Sequence, residues 1–110
     1  MADANGIYRL AIEIDGYSCH GGHMSIIDHQ MRGGDDCYEI EGRAHVGGST
    51  IDATLNVTLR TGASGHPFIK HPFAMTASGL LSAQGFELLG LGPLGAIVLL
   101  RGTEQRPPPG

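Results

Sequence analysis

Residues 38–59 alternate apolar and polar side chains with a period of two, twice over, about a pair of glycines. In the first run Tyr38, Ile40, Gly42, Ala44 and Val46 fall on one side, and Glu39, Glu41, Arg43 and His45 on the other. After Gly47-Gly48 the pattern resumes, with Ile51, Ala53, Leu55, Val57 and Leu59 against Asp52, Thr54, Asn56, Thr58 and Arg60. Period two is the mark of a half-buried strand, because successive side chains leave a pleated backbone on opposite faces. A helix would scatter the same apolar set around its circumference, and the threonines and valine favour extended backbone. Two glycines between alternating runs make a hairpin turn. The chain must therefore contain a long two-stranded hairpin here, and every other segment has to be placed beside it.

The flanking segments read as shorter strands. Residues 6–15 set Tyr8, Leu10, Ile12 and Ile14 against Arg9, Glu13 and Asp15, and Gly16-Tyr17-Ser18 interrupts them. Residues 22–29 form a second strand, antiparallel to the first, with Met24 and Ile26 inward. Gly33-Gly34 marks residues 30–36 as a turn. Residues 61–72, with two prolines and two glycines, are the longest irregular stretch. Residues 73–78, 86–91 and 96–101 complete seven expected strands, with room for one helical turn in residues 78–84 or in the 61–72 loop, and a turn at Gly92-Pro93-Leu94-Gly95. Residues 1–5 and 103–110 read as loose ends, the latter because three consecutive prolines cannot join a ladder. A single all-β domain over residues 6–102 follows. It is an antiparallel meander with little helix, whose closure into a small barrel would remove its exposed edges.

The 110 residues suit one core, and the 18 glycines fit a turn-rich β domain. The net charge is -4, with Lys70 the only lysine and the arginines scattered. No basic stripe exists to neutralise phosphates, so direct nucleic-acid binding is not expected. No apolar run approaches the roughly 20 residues of a membrane span. Residues 1–6 lack a basic cluster, and Arg9 and Glu13 interrupt the apolar segment after them, so no leader is expected. Cys19 and Cys37 are then expected as free thiols in a cytoplasmic protein.

The opening Gly6-Ile7-Tyr8, Gly21-Gly22, Gly33-Gly34-Asp35 and the Tyr38 to Gly42 spacing stand in a familiar order along the chain. With Ser78-Gly79, Phe86-Glu87-Leu88 and Gly92-Pro93 further on, they cover about residues 5–103. The chain resembles the GrlR-like family of negative regulators of type III secretion and bacterial relatives of unassigned function. That resemblance implies a lipocalin-like β-barrel of about seven to eight strands that forms a homodimer. It also implies regulation by protein–protein contact, in which a transcriptional regulator protein is bound and silenced. The family's acidic loop motif is missing, since the corresponding loop is Val46-Gly47-Gly48-Ser49-Thr50.

Four sets of residues are candidates for function. Tyr8, Leu10, Ile12, Tyr38, Ile40, Gly42, Ala53 and Leu55 line the expected barrel interior. Gly42, Ala44 and Ala53 would leave a gap there for a lipid or another small apolar ligand. Leu89, Leu91, Ile97 and Leu99 fall on the face that should look outward, and a second copy of the chain is the natural cover. Asp35, Asp36, Glu39 and Glu41 form an acidic patch that could attract a basic partner, although Asp35 is better placed to accept backbone N–H bonds and fix the turn after Gly34. The six histidines lack metal-ligand spacing, so neither a metal centre nor another cofactor is expected. Ser18-Cys19-His20 would point alternate ways in a strand, which argues against catalysis, and no enzymatic activity is expected.

Overall fold

In a computed structural model, residues 4–63, 69 and 71–105 are described. Nine strands follow one another: β1 (Gly6–Ile14), β2 (Tyr17–Ser18), β3 (His23–Ile27), β4 (Gln30–Gly34), β5 (Tyr38–Gly47), β6 (Thr50–Leu59), β7 (Phe73–Ser82), β8 (Gly85–Leu91) and β9 (Ile97–Glu104). From β3 to β9 each strand pairs antiparallel with the next, and β9 returns to the free edge of β1, from Tyr8 opposite Glu104 to Ile14 opposite Val98. Eight strands close into a barrel, and β2 is a short addition beside the end of β1.

The central hairpin stands as its alternation demands. Tyr38 faces Leu59 at one end and Gly47 faces Thr50 at the other, with only Gly48 and Ser49 between the strands. Along β6 buried and exposed residues alternate from Thr50 to Thr58. The same rhythm in β1 turns Tyr8, Leu10, Ile12 and Ile14 inward. Met24, Ile26, Met31, Ile40, Leu55, Val57, Leu88, Val98 and Leu100 meet them in one apolar core, each no more than 1% exposed. Burying a side chain of this size contributes about 1.5–3 kcal/mol.

Several expectations need correction. Residues 30–34 form strand β4, not a turn. The turn lies at Asp28 and His29, whose φ values of 50° and 69° give two successive left-handed residues. That twist matches a two-residue hairpin, and Ile27 duly faces Gln30 across it. Gly33 and Gly34 are there because the chain is crowded: a side chain on either would run into the carbonyl of His23 or Tyr38.

The first two expected strands are neighbours, but β2 stands between them in sequence. Asp15 and Gly16 turn the chain into β2, which lies along the same edge of β1 as β3. Continuing the β2 register would set Arg9 opposite Gly22, yet it faces His23. The segment between the two strands therefore carries one extra residue, a bulge. Residues 79–82, considered for a helical turn, extend β7, with Gly79 opposite Leu88 and Leu80 opposite Glu87. Among the described residues the helical geometry is a 3-10 turn at Pro93–Gly95. Thr103 and Glu104 belong to the barrel rather than to a tail. Of the 61–72 loop, residues 64–68 and 70 lie outside the described residues, as do 1–3 and 106–110.

Candidate functional site

The interior set converges as expected. Tyr8, Leu10, Ile12, Tyr38, Ile40, Ala53 and Leu55 are buried, and Gly42 is partly so. The Tyr8 hydroxyl donates to the Ala4 carbonyl at 2.6 Å, which satisfies the one polar atom that this ring brings inside. Small residues form a row across four strands, with Ala44 opposite Ala53, Ala53 opposite Ala77, and Ala77 opposite Gly90.

The gap expected beside Gly42 is occupied. A Cβ on Gly42 would meet the Thr54 carbonyl and would stand 2.9 Å from Leu55 Cδ2, and one on Gly90 would meet the Met75 ε-methyl. The small residues are there so that longer neighbours can lean across them, which is how close packing accommodates a narrow barrel.

The outward apolar set is present on the surface. Leu89 faces Leu99, and Leu91 faces Ile97, on successive outward rungs of β8 and β9. Leu89, Leu91 and Ile97 are 54%, 67% and 54% exposed, and Leu99 is half-buried. Leu94, in the connecting turn, is also exposed, while the next outward rung carries the ion pair Arg101–Glu87 at 3.2 Å. Beside Leu89 the surface becomes a polar cleft lined by His45, Asp52, Thr54, Thr76 and Ser78. The patch is thus apolar in its middle and polar at its sides.

The acidic set does not form one surface. Asp35 is 4% exposed and its Oδ1 accepts N–H bonds from Cys37 and Tyr38, both at 2.8 Å. It is the turn-fixing residue of the β4–β5 connection, and burial removes it from any partner surface. Asp36 is exposed, whereas Glu39 pairs with Arg60 at 3.2 Å and Glu41 with Arg32 at 3.3 Å. Exposed pairs of this kind contribute about 0–1 kcal/mol each, but they cancel the local charge that a basic partner would seek. His20, His23, His29, His45 and His71 are exposed, and His66 lies outside the described residues.

The cysteines depart furthest from expectation. Cys19 and Cys37 form a disulfide, with Cα atoms 6.1 Å apart, instead of two free thiols. The β3–β4 hairpin explains the meeting. Its arms are of equal length and His23 faces Gly34, so the residues just before β3 and just after β4 emerge at one end of the barrel. The Asp36 N–H donating to the His20 carbonyl at 2.9 Å ties the two segments together there. That pairing was accessible only to a reading that had found β4. Asp35 stands beside the sulfurs, and its second oxygen, Oδ2, is buried with no hydrogen-bond partner among the described residues.

No protein-family model matches this chain, and no curated protein matches it.

Proposed function

We propose that this protein is a non-enzymatic, cytoplasmic regulator that acts by protein contact and pairs with a second copy of itself through the outer face of β8 and β9. The observation that carries the reading is the double rung Leu89–Leu99 and Leu91–Ile97, apolar on a face that the barrel's own core does not use. Two such rungs side by side are self-complementary about a two-fold axis, so one patch serves both partners. Half-exposed leucines and isoleucines gain about 1 kcal/mol each on burial, or roughly 8 kcal/mol for a pair of subunits before the cost of association. That favours a weak, concentration-dependent dimer. The resemblance to GrlR-like negative regulators supports a transcriptional regulator protein as the further partner. No helix among the described residues is long and apolar enough to cross a membrane.

Sedimentation velocity over a concentration series tests the pairing. The parent chain should shift from monomer to dimer, and Ile97→Asp should remain monomeric with unchanged circular dichroism. A parent that stays monomeric at the highest concentration would overturn the reading. The alternative is a carrier or sensor of a small apolar ligand held in the barrel, which draws on the apolar interior. Leu55 over Gly42 and Met75 over Gly90 leave less room for it.

A further inference from the structure

We propose that reduction of the Cys19–Cys37 bond converts this corner of the barrel into a binding site for a thiophilic divalent cation such as Zn²⁺, held by the two thiolates and Asp35. The three side chains place one ligand atom each within 4.8 Å of one another. Their positions are set by backbone structure. Cys19 belongs to the bulge before β3, and Asp35 and Cys37 to the turn after β4, and the two segments are joined by the Asp36–His20 hydrogen bond.

The carboxylate is the second, independent sign of a ligand. Asp35 is buried, and Oδ1 is spent on the N–H groups of Cys37 and Tyr38, which fixes the plane of the carboxylate. Oδ2 remains buried and has no hydrogen-bond partner among the described residues, and a buried acceptor left without a partner is unfavourable. In the disulfide form no donor among the described residues recovers that cost. A cation bound beside the sulfurs would, because it accepts the free lone pairs of Oδ2 as a ligand.

The chemistry balances. A dithiol reductant gives two electrons to the Cys19–Cys37 bond and becomes a disulfide itself, while its two protons pass to the cysteine sulfurs, which become thiols. Zn²⁺ then displaces both thiol protons to form two Zn–S bonds, so affinity rises with pH. Zinc bonds to sulfur at about 2.3 Å and to carboxylate oxygen at about 2.0–2.2 Å. Two sulfurs on one tetrahedral ion therefore stand roughly 3.8 Å apart. This is wider than the bonded sulfurs of the disulfide, so the two cysteine side chains move apart on reduction to admit the ion. Three protein ligands leave a fourth position for water. Cys37 is nearly buried and Cys19 half-buried beside an open groove lined by His20, Gly21 and His23, so the ion would enter from the Cys19 side. The oxidised form cannot bind the ion, since its sulfurs are spent on each other. The corner would then exchange a covalent staple for a metal staple as its surroundings become reducing, as the cytoplasmic setting proposed above requires.

Co²⁺ titration under anaerobic conditions tests this, with the full chain either oxidised or reduced by a phosphine that is removed beforehand. The reduced parent should bind one Co²⁺ per chain, with sulfur-to-metal absorption in the near ultraviolet and tetrahedral bands in the visible, and Zn²⁺ should displace it. The oxidised parent should show neither. Asp35→Asn keeps an oxygen acceptor for the two N–H bonds and should weaken binding tenfold or more, judged against roughly 10–100-fold losses for groups that merely support a ligand. Cys37→Ser should abolish the near-ultraviolet band. Circular dichroism follows the fold throughout: a reduced chain that loses structure and regains it with Zn²⁺ also supports the site. Absence of thiolate absorption in the reduced parent would overturn the proposal. So would equal affinity in Asp35→Asn, or persistence of the same spectrum in Cys37→Ser. The oligomeric state does not enter these readouts, so failure here and failure of the pairing are separate results.

Discussion

Phe86 faces Gly102 across β8 and β9, and its ring fills the space in which a side chain on Gly102 would stand. The Tyr8 ring meets Phe86 edge to face, with centroids 4.9 Å apart. Gly102→Ala should therefore force the ring off its seat and cost about 1–3 kcal/mol, the usual penalty of overpacking. Phe86→Ala should cost about 3–5 kcal/mol through the cavity it leaves. In a double-mutant cycle read by urea denaturation, Gly102→Ala should be milder once Phe86 is alanine. A full additive penalty would show that the ring and the glycine are not coupled.

The turn after β4 offers a second test. Asp35→Ala removes the acceptor for the Cys37 and Tyr38 N–H groups, and each bond left unmade in a buried turn costs about 1–3 kcal/mol. Asp35→Asn retains an acceptor and should be clearly milder. Thermal unfolding of the oxidised protein compares the two, and equal losses would mean that Oδ1 does not hold the turn.

Cys19 and Cys37 are separated by 18 residues in sequence. Linking a loop of that length stabilises a fold by about 3 kcal/mol, mostly by restricting the unfolded chain. Reduction in the presence of a chelator should lower the urea midpoint accordingly, and adding Zn²⁺ to the reduced chain should restore much of it. A midpoint unchanged by reduction would contradict the first expectation.

Ala53 stands between Ala44 and Ala77 in the small-residue row. With Met75 already over Gly90 at the end of this row and Leu55 over Gly42 on the next inward rung, Ala53→Leu should overpack the barrel and cost about 1–3 kcal/mol. Titration with a fluorescent fatty-acid probe then separates the two functional readings. Uptake by the parent that is lost in a folded Ala53→Leu would favour an interior ligand, whereas equal uptake by both places the probe on the outer patch.

How much of this was legible in the chain depends on how far local pattern coincides with local structure. The β5–β6 hairpin was readable because ten residues on each arm alternate without a break. The outward apolar rungs of β8 and β9 followed from the same period. Strand β4 was hidden because it has five residues with Met31 as its only large apolar side chain, and its glycines mimic a turn. The real turn, Asp28-His29, lacks the usual Asn-Gly or Asp-Gly pair. Gly79 misled for a related reason: a glycine pressed against a neighbouring strand and one that breaks a strand look alike in sequence. The cysteine corner depends on all of these at once. Two residues 18 apart meet only when β3 and β4 are known to be arms of one hairpin, and Asp35 joins them only through that turn.

The seam between β1 and β9 sets the order in which such a chain can mature. Nearly every other rung joins neighbours in sequence, so those pairs close loops far shorter than the seam does and need less closure entropy. The seam instead brings Ile14 to Val98 and lets Asp15 Oδ1 accept the Ile97 N–H at 2.8 Å, a separation of 82 residues. During synthesis β1 emerges first and its partner last. Until β9 leaves the ribosome, the growing sheet carries two raw edges that can recruit another chain. Closing the barrel therefore waits on β9, and a slow closing of that one seam would prolong the exposure of both edges.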